Sequence, residues 1–147
     1  MTYAIQGGRP EPTLDYDVTD AASGAPARVT ILSGVVGLVF QRTGMFRTET
    51  KGAADPRQQM GFLVPGLPQP LPAGPDPIVV SELWLAQVGV YLNDMKTTRM
   101  HGVSDVTAQL ARDPALGGQR GVYLSFTAIG SDPMVLRYRV TVYRPRP

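Results

Sequence analysis

His101, Ser104 and Asp105 supply the residue types of a hydrolytic triad within five residues. A triad holds its imidazole between hydroxyl and carboxylate, beside an oxyanion hole. Side chains alternate faces along a strand, so His101 and Ser104 are expected on opposite sides. No Gly-x-Ser-x-Gly elbow surrounds any serine. The three residues read as a polar cluster beside a turn. Asp15, Asp17 and Asp20 offer a second chemistry, that of a calcium loop. Such a loop needs an acid or amide at its fifth position and glycine at its sixth. Thr19 and Asp20 stand there instead, so the aspartates read as the solvent face of a strand. With one His and no Cys, zinc lacks ligands. Gly117-Gly118-Gln119-Arg120-Gly121, Lys51-Gly52 and Lys96-Thr97-Thr98 lack the glycine spacing of a phosphate cradle and read as turns.

The last arginines carry more. Arg137 and Arg139 share one face of a strand, and with Arg144 and Arg146 they could follow a phosphate backbone. Only Tyr143 and Tyr123 would accompany them, which is thin for a stacking platform, so nucleic acid is not the expected partner. The competing reading pairs this strand with Asp15 and Asp17, which have the same spacing of two. Opposite charges across strands contribute about 0.2–1 kcal/mol per pair. That pairing could form within one chain or between subunits.

Overall charge supports the second reading. The chain has 14 basic and 12 acidic residues, and only Lys51 and Lys96 among the bases are lysines. Net charge of +2 does not point to nucleic acid. Residues 10–20 are acidic and residues 133–147 basic, so the ends carry opposite sign. The absence of Cys excludes disulfides and thiol chemistry. The first residues lack a basic stretch followed by an apolar one, so no signal peptide is expected. The longest uncharged apolar run, residues 29–41, is too short for a membrane-spanning helix.

These groups must be positioned by short elements. Sixteen Gly and 14 Pro punctuate runs of alternating apolar residues, the pattern of strands and turns. Even positions are apolar in residues 122–128 and again in 136–142, with Gly130-Ser131-Asp132-Pro133 between them. This predicts an antiparallel hairpin with Leu136 opposite Phe126, Tyr138 opposite Leu124 and Val140 opposite Val122. Leu14, Tyr16 and Val18 share one face of another strand. Residues 28–33, 35–41 and 45–50 read as three strands split by Gly34 and by Thr43-Gly44. Residues 59–64 form a short strand, and 103–110 alternate through Val106, Ala108 and Leu110. Residues 78–92 fit either a helical stripe or a strand with Trp84, Ala86 and Val88 on one face; Gly89 and Asn93-Asp94 favour the strand. Trp84 is expected in the core, among apolar neighbours.

Residues 64–77 hold six of the 14 prolines, Pro68, Pro70 and Pro72 among them. They read as a polyproline-like arm or loop with no evident use inside the domain. Residues 1–147 are expected to form a single β-rich domain. Its fold class is all-β: an antiparallel two-sheet sandwich or flattened barrel of about seven to nine strands, with one helix near 78–92 as the variant.

In general style the chain resembles small bacteriophage virion proteins, which decorate capsids or build tails and head-tail joints. The resemblance rests on short length, no Cys, β-rich alternation, Arg in preference to Lys, and runs such as Val88-Gly-Val-Tyr-Leu-Asn93. It implies a virion location, many identical copies and no cofactor. The functional expectation is a non-enzymatic assembly protein without cofactor, metal or membrane. It would bind copies of itself and neighbouring structural proteins. Asp15, Asp17, Pro68, Pro70, Pro72, Arg137, Arg139, Arg144 and Arg146 are its candidate contacts. The alternative is a carbohydrate-binding sandwich with Trp84, Tyr123 and Tyr143 as stacking residues.

Overall fold

A computed structural model describes residues 2–41, 57–68, 71, 76–88, 101–130 and 133–145. Among the described residues eight strands are formed: β1 (Thr2–Pro10), β2 (Leu14–Thr19), β3 (Pro26–Gln41), β4 (Arg57–Leu63), β5 (Ile78–Val88), β6 (Gly102–Asp113), β7 (Gln119–Ile129) and β8 (Met134–Pro145). They build two antiparallel sheets, as the alternation predicts. The larger sheet runs β1-β3-β8-β5, with β2 also on β3; the smaller runs β4-β7-β6. Among the described residues no helix is long and apolar enough to cross a membrane.

β3, β7 and β8 turn their even-numbered apolar residues inward, and β1 and β5 their odd-numbered ones. Leu32, Val36 and Leu38 of β3, and Leu136, Tyr138, Val140 and Val142 of β8, meet Val122, Leu124, Phe126 and Ala128 of β7. Phe62 packs its ring edgewise on both Phe126 and Tyr138, joining the sheets through the core.

The predicted 122–142 hairpin is not formed. β7 pairs with β4 and β6, whereas β8 pairs with β3 and β5. β7 ends at Ile129 in one sheet and β8 begins at Met134 in the other, so the two apolar faces meet across the core instead of lying side by side. Burial explains this: both faces need covering, and a flat hairpin would leave them exposed together. The tight hairpin lies one strand earlier, between β6 and β7. Asp113 accepts from Ala115 N at 2.9 Å, and Gly117 and Gly118 take positive φ.

Gly34 does not split β3, which is continuous over 16 residues. A Cβ on Gly34 would lie 2.5 Å from Tyr138 Oη and 2.8 Å from Arg9 O. The glycine makes room for a buried tyrosine and does not end a strand. The possible strand at 45–50 lies outside the described residues. Residues 78–88 are strand, not helix, and the core receives Val79, Leu83 and Leu85 from it. Trp84 points the other way and is 39% exposed, contrary to expectation. Apolar residues on both faces of β5 left this choice to the packing.

The Pro-rich segment also departs from expectation. Val64, Leu67 and Leu71 belong to the core, and Leu71 bridges Arg120 of β7. Thr13 Oγ1 donates to Gly66 O at 3.1 Å, and Arg120 pairs with Asp76 at 2.7 Å. The described part of the arm therefore closes its own sandwich. On the opposite flank, Gln58 of β4 binds the backbone of Tyr3 of β1. Its Nε2 donates to Tyr3 O at 2.9 Å and its Oε1 accepts from Tyr3 N. A side-chain amide thus clasps the two sheets where, among the described residues, no backbone ladder joins them.

Candidate interaction face

β2 is inverted relative to the other strands. Its register sets Asp15 beside Thr30 and Asp17 beside Arg28, while Leu14 and Tyr16 lie beside Ile31 and Val29 on the outer side. Thr30 is fully buried. Asp15 is not on the solvent face: its side chain is only 18% exposed. Arg28 grips it with two hydrogen bonds, Nε to Oδ1 at 2.9 Å and Nη2 to Oδ2 at 2.6 Å. Thr30 Oγ1 also donates to Asp15 Oδ1 at 2.9 Å and accepts from Arg144 Nη2 at 3.0 Å. Hydrogen bonding to Arg28 holds the Asp15 carboxyl at about 2, against the opposing effect of desolvation, with further help from Thr30.

The expected acid–base attraction between chain ends is therefore met inside the chain, by other partners. Asp15 reaches Arg144 at 3.9 Å, Asp17 reaches Arg28 at 3.7 Å, and Glu11 reaches Arg137 at 3.4 Å. Asp15 and Asp17 do not lie against Arg137 and Arg139, because register sets the aspartates level with Thr30 and Arg28 of β3 and the two arginines level with Val35 and Ser33. Arg139 sits in register with Glu82 of β5 and remains exposed. Pro68 is exposed; Pro70, Pro72 and Arg146 lie outside the described residues. Asp20 caps the β2–β3 turn by accepting from Ala22 N at 2.8 Å. With Asp15 and Asp17 engaged by Arg28, the three aspartates are not arranged as a cation loop.

The inversion of β2 shapes the outer face of the larger sheet. Cross-strand pairs line up as rows. Tyr16, Val29, Tyr143 and Ile78 form one row, and Leu14, Ile31, Thr141 and Val80 the next. Ser33, Arg139 and Glu82 follow, then Arg9, Val35, Arg137 and Trp84. Leu14, Tyr16, Ile78 and Val80 are 57%, 46%, 60% and 55% exposed. In one half of the face the exposed apolar residues sit on β2 and β5, flanking the less exposed Val29, Ile31, Thr141 and Tyr143; the other half is charged. Comparison with protein families, curated proteins and solved structures finds no match. The arrangement is therefore read from its own chemistry.

The smaller sheet shows a different outer face. Tyr123 lies there, so Trp84, Tyr123 and Tyr143 do not form one platform. Ser104 donates directly to Asp105 Oδ2 at 3.1 Å, with no imidazole between hydroxyl and carboxylate. Sequence alternation did not reveal the apolar rows of the larger face, because it groups Leu14, Tyr16 and Val18 without saying which side of the sheet they occupy.

Proposed function

We propose that this protein is a non-enzymatic assembly component that docks copies of itself through the outer face of its larger sheet. The observation carrying this reading is the pair of apolar rows built from Leu14, Tyr16, Ile78 and Val80, all about half exposed. Exposed apolar residues gathered on one face in this way mark interaction surfaces. Four strands about 4.8 Å apart, over about ten residues at about 3.4 Å each, span roughly 600 Å². One partner in a standard interface contributes about 800 Å². The face thus has the scale of a specific contact, with an apolar half for affinity and a rim of Arg9, Arg137, Arg139 and Glu82 for register. A sheet face packs best on another sheet of similar twist, and a second copy supplies one. The resemblance in style to small phage virion proteins fits the same role, many copies on one particle.

The test is mass by light scattering over a range of concentrations. The native chain should associate, and the pair Ile78→Lys with Val80→Lys should remain a folded monomer. A native chain that stays monomeric at every concentration overturns the reading.

A further inference from the structure

We propose that the outer face of the smaller sheet is a binding platform for a flat, neutral oligosaccharide. The inference is independent of self-docking, which uses the opposite side of the molecule. Register places Leu63, Tyr123 and Gln109 in one row, Gly61, Ser125 and Thr107 in the next, and Gln59, Thr127 and Ser104 in a third. A Cβ on Gly61 would overlap the Tyr123 ring. The absence of a side chain there lets the ring lie down across β4, with Leu63 beside it. Glycine within a strand often marks such a close approach. A recumbent ring turns one π-face to solvent, and the C–H faces of a pyranose pack on such a surface.

Beside the ring the face is lined with hydroxyls and amides. Thr107 Oγ1 and Ser125 Oγ lie 2.6 Å apart. At the far row, β6 carries a bulge between Ser104 and Thr107. Asp105 sits in that bulge at φ 53°, the described non-glycine residue with positive φ. The bulge allows Val103 and Val106 both to pack against the core. It also swings Asp105 out to solvent. Bulges re-aim side chains in this way near functional sites. Asp105 Oδ2 accepts from Ser104 at 3.1 Å and from Thr127 at 3.3 Å. Both bonds go to Oδ2. A carboxylate oxygen accepts strongly from a sugar hydroxyl.

Dimensions and charge select the ligand. Strand spacing and rise set Asp105 on the order of 10 Å from Gly61, which suits a chain of two or three pyranose rings. From the Arg57 row to the Tyr123 row, the described charges are Arg57 and Asp105, so the face is balanced. A polyanion finds no basic stripe here. β-1,4-linked gluco-configured chains are ribbon-like, and an open sheet face gives a ribbon room to lie along it.

Titration calorimetry with cellotetraose and with chitotetraose tests the proposal on the full chain. At least one should bind in the millimolar range or tighter. Tyr123→Ala should weaken that binding about 10-fold, the equivalent of one stacking contact. Asp105→Asn should weaken it several-fold, whereas Trp84→Ala on the other sheet should leave it unchanged. Circular dichroism establishes that the variants keep the native fold. Failure of both tetrasaccharides to bind overturns the proposal, as does binding that survives Tyr123→Ala or is lost in Trp84→Ala.

Discussion

Asp15 accepts three hydrogen bonds, two from Arg28 and one from Thr30. Charge-assisted bonds contribute more than neutral ones, and loss of one partner strands the other. Asp15→Asn is therefore expected to cost about 2 kcal/mol, read from urea midpoints. The same contacts set a pH dependence. The carboxyl titrates near 3.8 when unfolded and at about 2 when folded. Its contribution is thus complete above about pH 4 and fades as the pH falls through about 2. The native chain should lose stability across that interval, and Asp15→Asn should lose less; equal slopes would remove Asp15 from the account. Gly34→Ala is expected to be worse than its size implies, about 2 kcal/mol or more, because the added carbon meets Arg9 O and the buried Tyr138. A thermal melt unchanged from the native would contradict the close approach.

At the scale of elements, the clasp and the arm do the joining that ladders leave undone. Gln58→Leu keeps the volume but removes the two hydrogen bonds the amide makes to Tyr3 N and O, at a cost of about 2 kcal/mol. Hydrogen exchange should then quicken in β1 before it quickens in β8. Leu71→Ala should cost about 3 kcal/mol, as for a core leucine, while Pro68→Ala, at an exposed position, should cost almost nothing. If both prove neutral, the arm is not part of the core. Composition predicts an extended run over residues 64–77; it does not show that Leu67 and Leu71 turn inward. Likewise the alternation in β7 and β8 locates both strands, but the Gly-Pro corner between them serves equally for a hairpin and for a crossing between sheets.

For the whole molecule, the two outer faces have different characters. The larger sheet offers apolar rows with a charged border, and the smaller a hydroxyl-lined surface under one tyrosine. Association through the first should survive high salt, since apolar contact is not screened. Scattering mass that collapses on adding salt would instead assign the contact to Arg137 and Arg139. What the amino-acid order decides is local: which stretches extend, where they turn, and which residues share a side, since a period of two is written into each strand. Which side faces inward, and which strands become neighbours, is a collective outcome. Alternation is unchanged when a strand is turned over, so β2 could present either Asp15 or Tyr16 to the interior. Arg28 and Thr30 of the adjoining β3, together with Arg144 of the distant β8, made the carboxylate the better inward choice and left Leu14 and Tyr16 outside.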